Sequence, residues 1–287
     1  MTDGPDTTLL RSQGTRGSAT SRSLTAEVAE MVREQREYVE LLSALVRRDL
    51  SLRYQNSFMG FGWAVFAPLL QMLIFSVVFT RVVPLDTGST PYPVYAYVGL
   101  WSWNLFAASL RFAGTSLTAN PNLVTKVYFP REILPFSAVL VSLFDFAVAS
   151  TVLGLLMWYY GIDVGWSIAF IPVIVLVQLA FTAGLALLVS MAHLFYTDVK
   201  HIFELVLTVW MFATAVLYPV ERIGGTLGRV LQVNPMTPII DAYRDVLLRG
   251  TLPEAAPFAA AAAVAFLTFL VSWILFHRAE FRFAEEI

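Results

Sequence analysis

The chain has 287 residues, of which 57% are hydrophobic and 14% charged, and its mean hydropathy is +0.66. Soluble domains carry about 25% charged residues, so this composition indicates a membrane protein. The net charge of −2 argues against a nucleic-acid partner. The absence of cysteine excludes disulfides, iron–sulfur clusters and thiol catalysis, and three scattered histidines (His193, His201 and His277) predict no metal site.

Two different segments precede the first apolar stretch. Residues 1–24 are rich in Ser, Thr, Gly and Arg and predict a disordered cytoplasmic tail, not a signal peptide. Residues 25–57 predict an amphipathic helix that lies in the inner membrane interface and carries Arg47, Arg48 and Arg53 near its end. These arginines either only set the topology or also attract an anionic lipid head group.

Six stretches with few charges predict six transmembrane helices, and hence an all-α integral membrane domain at 58–277 before a cytoplasmic tail at 278–287. The predicted spans lie near 60–82, 94–117, 133–158, 167–192, 201–219 and 255–277. The fifth span must accommodate Glu204. If both termini are cytoplasmic, thirteen Lys and Arg residues lie in inner segments and five in outer ones, as the positive-inside rule favours.

A short amphipathic helix is predicted at 121–129, between the second and third spans and on the cytoplasmic side. Asn120 can cap this helix, Pro121 suits its first turn, and Pro130 ends it. One face is apolar and the opposite face is polar. The apolar face holds Leu123, Val124, Val127 and Tyr128, and the polar face holds Asn122, Thr125 and Lys126. A helix with such a face suggests docking on another protein.

Polar residues also occur within the predicted spans. Arg111 and Asp145 could pair across adjacent helices, or Arg111 could extend to the inner head groups. Four aromatic residues in the second predicted span are interpreted by default as part of an interfacial aromatic belt, and alternatively as a sugar-stacking surface. Because they are too closely spaced to share one lipid-facing side, some of them should face protein or a pathway. They are Tyr95, Trp101, Trp103 and Phe106.

The longest outer loop is predicted to contain a helix that begins at Thr237 and Pro238 and ends at Gly250. An apolar stripe follows it, but its charges prevent it from spanning the membrane. The stripe consists of Ile239, Tyr243, Val246 and Leu247, and the charges are Asp241, Arg244, Asp245 and Arg249. The segment is either a plain extracellular loop or packs beside the exit of a pathway.

No nucleotide-binding loop is present, because the two lysines, Lys126 and Lys200, follow Thr and Val and not the Gly that a Walker A motif requires. Active transport by this chain would need an ion gradient or another polypeptide as its source of energy.

Four stretches resemble the permease subunit of bacterial ABC exporters for lipid-linked polysaccharides, such as O-antigens, capsular polymers and teichoic acids. They are LVRRDLSLRYQNSFMGFGWA (45–64), NLVTKVYFPRE (122–132), FYTDVKHI (195–202) and NPMTPIIDAYRDVLL (234–248). The resemblance covers about residues 40–277. It implies a location in the bacterial inner or plasma membrane.

The resemblance also implies a homodimer bound to two copies of a separate ATPase, which would hold ATP and Mg²⁺, with no cofactor on this chain. Segment 121–129 would be the coupling helix, 38–57 the interface helix, and 222–250 the outer gate. The ATPase contact would be formed by Asn122, Leu123, Val124, Lys126, Val127, Tyr128 and Phe129. The entrance for the lipid pyrophosphate would be formed by Arg47, Arg48, Arg53 and Tyr54. The glycan path would include Tyr95, Trp101, Trp103 and Phe106, and the gate would include Asp241, Tyr243 and Arg244.

Three other functions are compatible with parts of the sequence. A related ABC permease could export a lipid or a drug. An ion-coupled carrier would use intramembrane charges such as Arg111 and Asp145. A membrane-embedded glycosyltransferase would need catalytic acids at the cytoplasmic face, where Asp198 and Glu204 are a poor candidate pair.

Overall fold

The computed structural model describes residues 38–55, 59–60, 62–82, 85, 90–127, 129–196, 198–219, 231 and 233–283. Within these ranges the chain is helical between short connections and contains no strand, which confirms the predicted all-α fold. In chain order the helices are α1 (Val39–Tyr54), α2 (Gly62–Val77, continued by a π-helical turn Val78–Val82), α3 (Tyr92–Ser116), α4 (Pro121–Lys126), α5 (Ile133–Tyr159), α6 (Ile171–Phe195, preceded by a 3₁₀ turn Trp166–Phe170), α7 (Val199–Ala213), α8 (Met236–Arg244, continued by a π-helical turn Asp245–Arg249) and α9 (Ala255–Ala279, followed by a 3₁₀ turn Glu280–Arg282).

Four of the helical segments described are long and apolar enough to cross a membrane. They are Gly62–Val82, Ile133–Tyr159, Trp166–Phe195 and Ala255–Arg282. These segments confirm the first, third, fourth and sixth predicted spans. Helix α7 has 15 residues, which is short against the roughly 20 that a span needs. The prediction of six spans is therefore confirmed for four of them.

Helix α3 occupies the second predicted span but is not among those four segments. It is 25 residues long, and most of its side chains are buried against α2, α5, α6 and α8. A helix enclosed by other helices needs no apolar face toward lipid. Its Tyr, Trp, Ser and Asn residues lower its hydropathy and provide polar groups for contacts inside the protein.

Two glycines allow other segments of the chain to approach their helices closely. A Cβ atom at Gly184 of α6 would lie 2.8 Å from the backbone N and Cα of Phe269 in α9. A Cβ atom at Gly99 of α3 would lie 2.2 Å from the carbonyl oxygen of Val216. Small residues at such crossings are typical of helix packing in membranes, where close van der Waals contact stabilises the bundle.

Helix α8 confirms the predicted helix of the long loop. It begins at Met236, one residue before Thr237, and its π-helical continuation ends at Gly250, which adopts φ 68°. This left-handed conformation favours glycine and ends the helix. The predicted apolar stripe is buried and packs against α3, α6 and α9. Residues 222–230 and 232 of the predicted gate lie outside the described residues.

Helix α1 lies within the predicted interface helix, and residues 25–37 and 56–57 of that prediction lie outside the described residues. Helix α1 packs along α5, with Leu45 buried and several other side chains exposed. One side of α1 therefore contacts protein, as expected for an amphipathic helix.

Candidate functional site

The predicted coupling segment forms the six-residue helix α4, shorter than the predicted 121–129. Pro121 opens the helix as predicted, but Val127 is extended and ends it before Pro130. Asn120 occupies the N-cap position as predicted, but its side chain makes no capping hydrogen bond and instead donates from Nδ2 to the carbonyl oxygen of Ser116 at 2.8 Å. The carbonyl oxygens in the last turn of α3 have no N–H donor within the helix. The Ser116 carbonyl therefore accepts a hydrogen bond from this side-chain amide.

The predicted apolar face of this segment is divided. Val124 is fully buried, but Val127 is 47% exposed because it leaves the helical conformation. Phe129 is buried, Leu123 is half-buried, and Tyr128 lies outside the described residues. On the polar face, the side chains of Asn122, Thr125 and Lys126 are exposed as predicted. The surface of α4 available to a partner is therefore mainly polar.

Arg131 and Glu132 connect α4 to the rest of the protein. The Arg131 guanidinium donates to the carbonyl oxygen of Val124 from Nε at 3.3 Å and Nη2 at 3.2 Å. The Glu132 side chain is fully buried, and its Oε1 accepts a hydrogen bond from Trp273 Nε1 at 3.2 Å. The corner between α4 and α5 is thereby joined to the end of α9.

The surroundings of Glu132 favour its ionised form although it is buried. Burial alone would raise the pKa of this carboxyl, but His277, a backbone hydrogen bond and the Trp273 indole together hold the pKa below its ordinary value. His277 Nδ1 lies 3.5 Å from Glu132 Oε1.

Two residues predicted at the lipid entrance contact Asp145 of α5. Arg53 Nη1 lies 2.6 Å from Asp145 Oδ2, and the Tyr54 hydroxyl donates to Asp145 Oδ1. The Arg53 guanidinium also stacks 4.2 Å above the centre of the Phe112 ring. The considered pairing of Arg111 with Asp145 is therefore wrong, because α1 lies nearer to this carboxylate.

Arg111 pairs instead with Glu204 of α7. Arg111 Nε donates to the two Glu204 carboxylate oxygens at 3.0 and 3.2 Å. Both side chains are partly exposed. The pair explains how the predicted fifth span accommodates Glu204, because an ion pair lowers the cost of a charge in an apolar helix.

The other two arginines at the predicted entrance differ in their surroundings. Arg48 pairs with Asp49 at 2.8 Å, and Arg47 is exposed. Arg48 and Arg53 both line a cavity of about 460 Å³ between α1, α3 and α5, which also reaches Asn120 beside α4. A second cavity of about 200 Å³ lies between α2, α3 and α5, with Arg53, Arg111 and Asp145 in its wall. Arg48 and Arg53 therefore line an open cleft next to the predicted coupling helix.

The four aromatic residues assigned to the glycan path are buried inside the protein. Trp101 stacks on Phe146 with ring centres 3.9 Å apart and donates from Nε1 to the Phe146 carbonyl at 2.9 Å. Trp103 packs against Phe106, and Tyr95 is also buried. These residues do not form an aromatic belt. Three residues elsewhere are exposed as a belt would require: Trp158, Tyr159 and Trp166.

The predicted gate residues form a polar cluster at the other end of α3, in which Tyr243 and Arg244 are buried and Asp241 is partly exposed. Arg244 donates to the carbonyl oxygens of Val216 at 2.7 Å and Ala215 at 3.3 Å, and pairs with Asp241 at 3.2 Å. Its guanidinium stacks 3.8 Å above the centre of the Tyr95 ring. Tyr95, assigned to the path, and Arg244, assigned to the gate, are thus in direct contact.

Gln178 is a central residue of this cluster that sequence reasoning missed. Its Oε1 accepts hydrogen bonds from Tyr243 at 2.9 Å and Ser102 at 3.2 Å, and its Nε2 donates to the Ser102 carbonyl at 2.8 Å. Gln178 therefore joins α3, α6 and α8. The signal in the sequence was an amide side chain in a span with few polar residues.

Comparison with known proteins shows the family. The ABC-2 type transporter family matches residues 40–248. The O-antigen export system permease protein RfbA of Myxococcus xanthus is 34% identical over 259 residues, which cover 90% of this chain and 99% of that relative. A Klebsiella pneumoniae protein of the same name is 29% identical, covering 74% of this chain and 82% of the relative. The polysialic acid transport protein KpsM of Escherichia coli is 19% identical, covering 83% and 93%. This chain therefore belongs to the ABC-2 type transporter family.

Proposed function

We propose that this chain is the membrane-spanning subunit of an ATP-driven exporter in a bacterial inner or plasma membrane. Its cargo is a polysaccharide linked to polyprenyl pyrophosphate, which moves from the cytoplasmic to the outer side. The working unit is a homodimer with two copies of a separate ATPase, which binds ATP and Mg²⁺. Family membership supports the transport mechanism, and the names of the relatives, O-antigen export permease and polysialic acid transport protein, support a polysaccharide.

Helix α4 is the structural observation that carries the proposed coupling to an ATPase. Its exposed polar face includes Asn122 and Lys126, while Val124 is buried and its carbonyl accepts from Arg131. The helix is thus fixed to α5 on one side and accessible on the other. A partner that displaces α4 would transmit the movement directly to the ends of α3 and α5.

The cavity of about 460 Å³ supports the proposed lipid entrance. A pyrophosphate head group with attached sugars cannot cross hydrocarbon alone, because its charges and hydroxyl groups would lose their water. Arg48 and Arg53 offer cationic groups in this cavity, and Arg47 offers another on the exposed side of α1. Because Arg53 is paired with Asp145, an incoming pyrophosphate would compete with that carboxylate.

The outer gate and the glycan path require a change of conformation in this proposal. Tyr95, Trp101, Trp103 and Phe106 are buried among α3, α5 and α6. For these rings to stack on sugars, α3 would have to move away from α5 and α6, and Tyr95 would have to separate from Arg244. Stacking on aromatic faces would hold sugars without fixing one sequence, which suits a sliding polymer.

The coupling role is tested by reversing the charge of Lys126. The chain is expressed with its partner ATPase, and ATP hydrolysis and surface polysaccharide are measured together. Lys126→Glu is expected to lower the rate of export at least about tenfold, which corresponds to about 1.4 kcal/mol of activation free energy. The variant is expected to fold normally. Lys200→Glu is the matched control, since Lys200 is the other lysine and is also exposed. Tyr128→Ala is expected to act like Lys126→Glu. Normal export by both coupling variants would contradict the assignment.

The cargo is tested separately from the coupling. The purified complex is extracted for bound lipids, and mass spectrometry identifies the head groups. A polyprenyl-linked sugar supports the proposal, whereas a phospholipid or a drug-like molecule alone would favour the related ABC permease. Transport that continues without the ATPase but stops when the proton gradient is dissipated would favour an ion-coupled carrier.

A further inference from the structure

Glu132, His277 and Glu280 come together from distant parts of the chain. Glu132 precedes α5, His277 lies near the end of α9, and Glu280 follows in the adjoining 3₁₀ turn. One potential ligand atom from each residue lies within 4.8 Å of the other two. We propose that these three side chains bind a divalent transition-metal cation, for which Zn²⁺ is the probe. This site is independent of the proposed transport function.

The distances fit a shared cation better than a direct ion pair. His277 Nδ1 and Glu132 Oε1 are 3.5 Å apart, whereas charge-assisted hydrogen bonds are about 2.7–2.9 Å long. Two ligands of a tetrahedral zinc ion, each about 2.0–2.1 Å from the metal, are about 3.3 Å apart. To bind one tetrahedral cation, the most widely separated pair of the three atoms must therefore close by at most about 1.5 Å (4.8 minus 3.3).

Two buried carboxylate oxygens support the proposal. Glu132 is fully buried, and its Oε2 accepts no hydrogen bond from any residue that the structure describes. Glu280 Oε2 is also buried without a hydrogen bond within the described residues. A buried polar atom without a partner costs about 1–3 kcal/mol, and in native proteins a bound ion can supply the missing contact. A cation between the two carboxylates would also neutralise their mutual repulsion.

The donor set indicates which cations would bind. Two carboxylates and one imidazole suit first-row divalent cations such as Zn²⁺, and water can complete the coordination. The Trp273 indole donates to Glu132 Oε1 at 3.2 Å and holds this carboxylate in position. Hydrogen bonds of this kind orient metal ligands in known sites.

The position of the site gives the bound cation a structural role. Glu132 directly follows Arg131, which donates to the last turn of α4. His277 and Glu280 belong to the end of α9. A bound cation would therefore fasten the corner between α4 and α5 to α9, and would stabilise the bundle at this end.

Zinc titration of the purified protein tests the site. The full-length chain, carrying an affinity tag without histidines, is treated with a chelator in detergent micelles at pH 7.5 and titrated with ZnCl₂ by calorimetry. We expect one Zn²⁺ per chain. His277→Gln and Glu280→Gln are each expected to weaken binding at least about tenfold. His201→Gln and Glu254→Gln, which change exposed residues of the same types, should bind like the unaltered chain.

Thermal unfolding provides the second measurement. Zn²⁺ is expected to raise the Tm of the unaltered chain and of both controls, and to raise it less in His277→Gln and Glu280→Gln. If His277→Gln does not fold, Glu280→Gln decides the question, because Glu280 lies in the terminal turn and is only half-buried. Absence of Zn²⁺ binding to the unaltered chain, or equal binding by the ligand variants and the controls, would overturn the proposal.

Discussion

Three arginine side chains have a partner from another part of the chain. Arg53 lies beside Asp145, Arg111 beside Glu204, and Arg244 beside the carbonyls of Ala215 and Val216. A charge within a bilayer is costly unless another polar group compensates it. Each of these contacts therefore favours packing between the two particular segments that it joins.

Arg244 is expected to be essential for stability, unlike Arg249 five residues later. The Arg244 side chain is 2% exposed, and its removal would leave two buried carbonyls without their donor. Since each of these two groups costs about 1–3 kcal/mol, Arg244→Gln should lower the free energy of unfolding by about 2–6 kcal/mol. Arg249, which is 54% exposed, pairs with Asp245, so Arg249→Gln should change stability by less than about 1 kcal/mol. Thermal unfolding in one detergent compares the two, and equal losses would refute the assigned difference.

Arg53 and Asp145 are expected to stabilise the contact of α1 with α5 jointly. Their side chains are 27% and 16% exposed, so the coupling energy should lie between those of exposed and fully buried pairs, at about 1–3 kcal/mol. A double-mutant cycle with Arg53→Gln and Asp145→Asn measures it through the free energy of unfolding. Strictly additive effects would mean that the two residues do not interact in the folded protein.

At the level of helices, close backbone contact complements these polar pairs. Gly184 lets α6 touch the backbone of α9, and Gly99 lets α3 touch the segment around Val216. Helix α3 tolerates its many polar and aromatic residues because it is enclosed by other helices. The short helix α4 is stabilised by Arg131 and buried Val124, since six residues are too few for an isolated helix.

Gly184→Ala is expected to separate α6 from α9. The added Cβ would lie 2.8 Å from Phe269 backbone atoms, which cannot move without shifting α9. Overpacking of this kind costs about 1–3 kcal/mol. Gly154→Ala in α5 is the matched control, because its Cβ would meet no atom within 4 Å. The control should be neutral or stabilising by up to about 1 kcal/mol, since alanine favours helix. An equal effect of both substitutions on thermal unfolding would contradict the packing argument.

At the level of the whole molecule, α4 and the end of α8 lie at opposite ends of α3. Helix α3 is 25 residues long, or about 37 Å at 1.5 Å per residue, which is enough to cross a bilayer. The proposed orientation places α4 in the cytosol and Gly250 outside. This orientation rests on the distribution of Lys and Arg along the sequence.

Cysteine labelling in intact cells tests the orientation. The chain has no cysteine of its own, so Thr125→Cys and Thr251→Cys each introduce one reactive site at an exposed position. A membrane-impermeant maleimide is expected to label Thr251→Cys in intact cells and Thr125→Cys only after lysis. Labelling of Thr125→Cys in intact cells would reverse the topology and exclude docking of α4 on a cytoplasmic ATPase.

Local features of the sequence determined the apolar spans, the end of α8 at Gly250 and the polar face of α4. Hydropathy and helix termination depend on neighbouring residues, so they can be inferred without the fold. The family resemblance also rested on local stretches, and the family match over residues 40–248 confirms it.

The tertiary structure alone decided which distant residues meet. It pairs Asp145 with Arg53 and not with Arg111, and it buries Trp101 against α5. It also brings Glu132 to His277, although 145 positions separate them in the chain (277 minus 132). Such contacts depend on how complete helices pack. Polar side chains in an apolar bundle select partners by their position after packing, and no spacing along the chain encodes that position.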